Sequence, residues 1–295
     1  MAAFTLAHLS DPHLPPLPAP RLADLASKRA LGYVNWTRNR HRFHRREVLD
    51  VLVSDLQTQM PDHIAVTGDL VNLALEAEFA PALTWLEGVG APDRVTVIPG
   101  NHDAYVRSTR HRFAKTFENY LRGDGTPDGS PFPFLRRRGL LALIGLSSAV
   151  PTPPLMATGW LGQSQLESLD RLLAQLATEP VFRVLLIHHP LRSGSRAKRL
   201  TDSPQLLELL KRHGVELILH GHDHIHSTMW FDGPNGPIPA IGVPSASAIA
   251  HRHRPAAAYN LFSIERDGDA WRCEQTVRGI NDALRVREVR QTRLI

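Results

Sequence analysis

The sequence predicts an α/β layered domain, and three observations predict it. Short runs rich in Val, Ile and Leu recur up to residue 224, amphipathic helical patterns lie between them, and polar residues able to do chemistry follow the runs where a strand would give way to a loop. In order, residues 4–9, 63–67, 94–98, 140–146, 182–187 and 215–219 read as strands. Apolar residues in them mostly follow one another instead of alternating with polar ones, as expected for strands covered on both faces. Residues 46–60, 76–88, 163–177 and 204–213 have apolar side chains at helical spacing and supply the crossovers.

Beyond residue 224 the pattern changes. Runs at 228–231, 238–243, 258–264 and 271–277 are separated by Gly, Pro and Asp-Gly turns, notably Asp267-Gly268-Asp269, and read as antiparallel strands. Residues 281–295 are polar and basic, so the domain is placed at 1–280 with a C-terminal tail. Apart from a Pro-rich turn at 15–20, there is no internal repeat or low-complexity segment.

Five segments carry the chemistry: Asp11-Pro12-His13, Gly68-Asp69, Gly100-Asn101-His102-Asp103, His188-His189 and Gly221-His222-Asp223-His224. In open α/β sheets, ligands gather at the carboxyl ends of the strands, where each of these segments falls. Carboxylate, amide and imidazole donors suit Mn, Fe(II), Zn or Co, and a chain with one cysteine has no thiolate-rich site. Alone, each segment is ordinary, since Asp-Pro and Gly-Asn are turn formers. Five in this order describe a hydrolytic site for two ions about 3.5–4 Å apart, able to bind both the attacking and the leaving oxygen of a displacement at phosphorus.

The series Asp11-x-His13, Gly68-Asp69, Gly100 to Asp103, His188-His189 and Gly221 to His224 resembles the calcineurin-like metallophosphoesterase superfamily. The resemblance implies a four-layer α/β/β/α sandwich with two mixed sheets and a dinuclear metal site at the strand carboxyl ends, the late strands extending one of the sheets. Carried over by position, it gives one ion (Mn, Fe or Zn) to Asp11, His13, Asp69 and His224. The other goes to Asp69, Asn101, His188 and His222, with Asp69 as the bridge. His188 closes its strand first and is the expected ligand of its pair, with His189 supporting it. His102 would face the substrate, stabilising the transition state or protonating the leaving alkoxide. Asp103 would accept a hydrogen bond from the His102 ring and orient it.

The implied reaction is hydrolysis of a phosphodiester or pyrophosphate by attack of a metal-bound hydroxide. Members of the family act on cyclic nucleotides, glycerophosphodiesters or UDP-2,3-diacylglucosamine; a lipid or nucleotide-linked substrate of the last kind at a membrane surface is the leading expectation, a soluble cyclic-nucleotide or glycerophosphodiester phosphodiesterase the first alternative, and a binding scaffold that has lost catalysis on the same fold the second. A chain that keeps every expected ligand argues against the scaffold.

At 295 residues with 42% hydrophobic and 21% charged residues, the chain is ample for one sizeable core. No window is long enough to span a bilayer. A lone Cys273 excludes an intrachain disulfide, and the first strand begins too early to leave room for a signal peptide, so a cytoplasmic location is expected. The net charge of +5 is localised: residues 21–46 hold eight Lys or Arg against the single acid Asp24. Without that insert the chain is slightly acidic.

Leu22, Leu25, Leu31, Tyr33, Val34 and Trp36 lie among those cations, a mixture that suits peripheral contact with an anionic membrane and hence a lipid substrate. A helical arm packed on the domain is the alternative, favoured by Gly32. A nucleic-acid partner is not favoured, because no separate binding module accompanies the basic patch. Arg192, Arg196, Lys198 and Arg199 follow the His188 strand and, with Tyr105 and Arg107, are candidates for binding a substrate phosphate or headgroup. His8 is expected in the core, and His41, His44, His251 and His253, set among arginines, on the solvated surface.

Overall fold

The computed structural model describes residues 3–109, 111–124, 132–268 and 270–295. The first sheet is built around β1 (Phe4–Leu9), which pairs parallel with β2 (His63–Val66), and β2 pairs parallel with β3 (Val95–Val97). The second sheet holds β4 (Phe134–Arg138), β5 (Leu141–Gly145), β6 (Phe182–Leu186), β7 (Leu217–His220), β8 (Ser227–Gly233) and β9 (Gly236–Gly242), in the order β4-β5-β6-β7-β9-β8. The remaining strands, β10 (Ala258–Asp267), β11 (Ala270–Ile280) and β12 (Val286–Arg293), complete the first sheet as β12-β11-β10-β1-β2-β3. Both sheets mix parallel and antiparallel pairs.

Helices α1 (Arg29–Arg38), α2 (Arg46–Thr58), α3 (Glu76–Val89), α4 (Arg112–Thr116) and α5 (Glu118–Leu121) lie in the first half of the chain, and α6 (Gln163–Leu176) and α7 (Ser203–His213) in the second. The layering follows from side-chain alternation. In β5, β6 and β7, Leu141, Leu143, Phe182, Val184, Leu186, Leu217 and Leu219 pack into the core shared with the first sheet, α2 and α3. Their neighbours Ala142, Ile144, Leu185 and Ile218 pack outward against Leu166, Leu169, Leu173 and Leu176 of α6 and Leu206 and Leu210 of α7. Leu169, Leu173 and Leu176 are fully buried, each contributing about 1.5–3 kcal/mol. The result is helix, sheet, sheet, helix.

The late strands differ from the sequence expectation. Instead of all extending one sheet, β8 and β9 join the second, with β9 parallel to β7, while β10 and β11 join the first. The polar tail is an edge strand: β12 pairs antiparallel with β11, and its exposed Arg, Glu and Gln side chains suit an edge. Asp269, part of the expected Asp-Gly turn, lies outside the described residues. Among the described residues, no helix is long and apolar enough to cross a membrane.

Backbone bonds join the loops at the carboxyl edges. The N–H groups of Asp11 and His13 donate to Gly68 and Asp69 carbonyls, each at 3.0 Å, Gly221 N–H donates to the His188 carbonyl at 3.1 Å, and Ala246 N–H to that of Ser10 at 2.9 Å. These bonds tie the first motif loop to the second and the fourth to the fifth.

Candidate active site

The motif loops are held in unusual backbone conformations. Asp11, His13, Asp69, His222 and His224 all have left-handed φ, at 52°, 39°, 55°, 72° and 56°. Such a conformation costs a non-glycine residue on the order of 1–3 kcal/mol and persists only where surrounding contacts fix it, commonly at functional sites. Here those contacts are visible. Asp103, fully buried, accepts the backbone N–H groups of Asp69 and Gly100, each at 2.8 Å, of Leu70 at 2.9 Å and of Val71 at 3.1 Å. Asp11 Oδ2 accepts the His222 N–H at 3.0 Å, and Ser245 Oγ donates to the Asp11 carbonyl at 2.6 Å.

These loops bring lone pairs together. Ligand atoms of Asp11, His13, Asp69 and His224, all buried, lie within 4.8 Å of one another. His224 Nε2 is 3.1 Å from Asp11 Oδ1, and His13 Nε2 is 3.6 Å from Asp69 Oδ2. His13 Nδ1 faces the Val71 carbonyl at 3.3 Å, so that nitrogen holds the proton and Nε2 presents its lone pair. On the other side of Asp69, His188 Nδ1 donates to the Thr67 carbonyl at 2.7 Å. Its Nε2 faces Asp69 Oδ2 at 3.4 Å and Asn101 Oδ1 at 3.2 Å, while His222 Nδ1 lies 2.8 Å from Asn101 Oδ1. One Asp69 oxygen therefore stands between two groups of donors.

The electrostatics agree with a cation-binding site. Burial opposes charge on His188, but Asp69, Asp11 and the Thr67 carbonyl outweigh it and hold its pKa near about 10. Burial and neighbouring cations keep His13 well below the usual histidine range. Asp11, despite burial, is held below the carboxylate range by His224 and His188. Two ionised carboxylates in a dry pocket call for positive charge beside them, which is what raises the proton affinity of His188, and the nitrogen and oxygen donors here fit a divalent ion.

His102 lies half-buried at the rim. Its backbone N–H donates to Asp69 Oδ1 at 2.7 Å and its Nδ1 to the Asn72 carbonyl at 2.5 Å. Its Nε2 meets the Arg40 guanidinium at 3.1 Å, and its ring stacks on Tyr105 with centroids 5.4 Å apart. Burial, and then Arg40 working against Asp69, lowers its pKa to about 4. The expected contact between Asp103 and the His102 ring is absent. Among the described residues, all of Asp103's bonds go to backbone N–H groups, because its carboxylate turns inward to tie the Asp69 and Asn101 loops, and the Asn72 carbonyl orients His102 instead.

His189 packs its ring on His222, centroids 4.4 Å apart, but its nitrogens are engaged elsewhere, Nδ1 2.7 Å from Ser148 Oγ and Nε2 3.2 Å from the Ala157 carbonyl. Among the substrate-binding candidates, Lys198 lines the cavity described below and Tyr105 stacks on His102. Arg192 and Arg196 are exposed and do not line it; the Arg192 guanidinium sits over the Phe231 ring, 5.3 Å from its centroid. His8 is in the core as expected, 2.9 Å from Thr67 Oγ1. His44 is not on the surface. It is buried, with its Nδ1 2.8 Å from Ser247 Oγ and its ring edge-on to His13 at 4.9 Å. His251 is half-buried against Phe43, and with His253 lines the cavity. The surrounding arginines concealed His44 and His251 in the sequence, since a run such as residues 40–46 reads as a solvated face, whereas His41 and His253 are exposed as expected.

The insert itself caps the site. Trp36 is buried and stacks over His44, Gly32 lies against Leu73 and Tyr105, Lys28 lies over the Tyr105 ring, and Arg29 donates to the Leu73 and Ala74 carbonyls. A cavity of about 520 Å³ opens beside Asp69, Asn101, His102, His222 and His224, walled by Asn35, Asn39, Arg40, Lys198 and Arg254.

A four-layer sandwich whose strand ends gather Asp, Asn and His lone pairs under a cation-lined cavity defines a metal-dependent phosphoester hydrolase. The chain belongs to the calcineurin-like phosphoesterase family, which matches residues 4–226. It is 26% identical over 225 residues to a probable cyclic nucleotide phosphodiesterase of Synechococcus sp., covering 75% of this chain and 78% of that protein. It is 29% identical over 195 residues to a probable cyclic nucleotide phosphodiesterase of Rhodococcus erythropolis, covering 64% of this chain and 59% of the relative. The NAD nucleotidase of Haemophilus influenzae shares the fold, with a TM-score of 0.53 at 12% identity, over 98% of this chain and 54% of that one.

Proposed function

We propose that the protein hydrolyses a phosphodiester of nucleotide size, with a cyclic nucleotide as the favoured substrate class, using two divalent ions drawn from Mn, Fe or Zn. The observation carrying this reading is the cavity of about 520 Å³ beside the Asp and His cluster, within the usual range for small-molecule sites. Its Arg40, Lys198 and Arg254 complement an anionic phosphodiester, and the amides of Asn35 and Asn39 offer donors and acceptors to a base or sugar. The two relatives named probable cyclic nucleotide phosphodiesterases support the same class.

Asp11, His13, Asp69 and His224 would hold one ion, and Asp69, Asn101, His188 and His222 the other. Bound there, such ions supply Lewis-acid charge neutralisation and activation of water. The protein contributes orientation. Thr67 and Val71 carbonyls set the His188 and His13 rings, Asp103 locks the loops bearing Asp69 and Asn101, and the Asn72 carbonyl sets the His102 ring with its Nε2 on the cavity side, against Arg40. A membrane-surface lipid such as UDP-2,3-diacylglucosamine is the second reading, carried by Leu22, Leu31 and Val34, which are exposed on the insert. The burial of Trp36 and the inward course of Arg40 weigh against it.

The test is to offer Mn-loaded protein cyclic AMP, detergent-dispersed UDP-2,3-diacylglucosamine and p-nitrophenyl phosphate, with chelated protein as control. Metal-dependent ring opening of cyclic AMP in preference to the others is expected. Preferential cleavage of the lipid would move the assignment to the second reading, and no turnover with full metal content would leave a binding scaffold.

A further inference from the structure

We propose that Arg40, carried by the basic insert, is a substrate-binding residue that grips a non-bridging phosphoryl oxygen, an inference resting on the phosphodiesterase reading above. Its guanidinium reaches the reacting centre, 3.1 Å from His102 Nε2, in a cavity wall shared with Asp69, Asn101 and Lys198. Among the described residues it forms no ion pair, and His102 is the one side chain it bonds. A half-buried guanidinium that lines the cavity with donors to spare offers them to an anion that enters it. Its planar fork matches two oxygens of a phosphoryl group.

The placement is built into the fold. The segment that follows Arg40 is stitched to the loop after β9: Arg45 N–H donates to the Ser247 carbonyl at 2.8 Å, Ile249 N–H to the Phe43 carbonyl at 3.0 Å, and His44 bridges Ala248. On the other side Trp36 is buried over His44 and Arg29 is fixed to the Leu73 and Ala74 carbonyls. Arg40 is therefore presented at a fixed point above the metal-ligand cluster. Without an anion it rests on His102; when a phosphoryl group enters, its donors turn to the anionic oxygens.

The experiment compares wild type, Arg40→Ala and Arg40→Lys, all Mn-loaded, for turnover of cyclic AMP, competitive inhibition and thermal stabilisation by inorganic phosphate, metal content and Trp36 fluorescence. Arg40→Ala is expected to keep its metal and fluorescence, to lose about 10²-fold in kcat/KM, as removal of one charge-stabilising donor typically does, and to bind phosphate about tenfold more weakly. Arg40→Lys, which keeps the cation but not the fork, should recover phosphate binding and only part of the turnover. Phosphate binding and kcat/KM within twofold of wild type in Arg40→Ala overturn the proposal, as does a loss in Arg40→Ala accompanied by altered Trp36 fluorescence that Arg40→Lys reverses together with full activity, which makes the role structural. If wild type cleaves no phosphodiester yet phosphate stabilises it through Arg40, the anion site stands and the phosphodiesterase reading falls.

Discussion

Asp103 accepts the backbone N–H of Asp69 at 2.8 Å, and the same carboxylate oxygen accepts Gly100 N–H at 2.8 Å. A single buried side chain thus fixes the spacing between the loops carrying Asp69 and Asn101. Each buried N–H left without an acceptor costs about 1–3 kcal/mol, and Asp103→Ala strands four of them. The expected outcome is a large fall in melting temperature together with loss of bound metal. Asp103→Asn, which keeps one acceptor oxygen, should fall between the two. Calorimetry with elemental analysis checks this, and a stable Asp103→Ala protein with full metal content would contradict it.

His102 and Asp69 should separate by their effects. The His102 ring bonds Asn72 and Arg40 and packs on Tyr105 and, edge-on, on His13, centroids 4.8 Å apart, without bonding any of the metal-ligand atoms, and it is the backbone N–H that bonds Asp69. His102→Ala is therefore expected to keep both metals while turnover drops about 10²–10⁴-fold, the usual worth of a positioned acid or base. Asp69→Ala removes the oxygen between the two donor groups and should lose metal along with activity. Unchanged turnover in His102→Ala takes that residue out of the mechanism.

What was legible in the sequence was whatever its local pattern dictates. Val184, Leu185 and Leu186 are consecutive apolar residues because β6 is covered on both faces, and the motif residues follow strands because loops at strand ends are where ligands gather. β12 was missed because an edge strand needs no apolar face, and Val286–Arg293 alternates only weakly. Asp103 was misread because adjacency to His102 in sequence says nothing of direction, and its carboxylate turns inward to the N–H groups of Asp69, Leu70, Val71 and Gly100. Arg40 and His44 were hidden for a related reason: a cationic run looks solvated until tertiary packing shows which of its members point at the site.

Gly221 should tolerate no side chain. A Cβ there would collide with Ser10 Oγ and the Asp11 Oδ2 oxygen that accepts the His222 N–H. In Gly221→Ala, Asp11 or the His222 loop must shift by roughly a bond length. A misplacement of this order near the reacting atoms can cost on the order of 10²-fold in rate. The expected result is a folded protein with weakened metal affinity by calorimetric titration. A control at Gly194, where an added Cβ meets nothing within 4 Å, should bind metal normally.

Acid stability gives a test away from the metal ligands. His63 is buried with Nε2 2.7 Å from Thr96 Oγ1 and Nδ1 unpartnered, and burial followed by Arg136, Arg138 and Arg94 depresses its pKa from 6.5 to about 3. In this window the unfolded chain binds a proton at His63 and the native state does not. The contribution is therefore fully present above pH 6.5 and is lost as pH falls toward 3. One such proton gives a slope of about 1.4 kcal/mol per pH unit. Urea unfolding in chelator between pH 7 and pH 4.5 should show wild type losing stability more steeply than His63→Gln by about that amount, because glutamine can still bond Thr96 but does not titrate in this range. Equal slopes would mean that His63 is protonated in the native state, and that Thr96 and the nearby arginines do not hold it neutral.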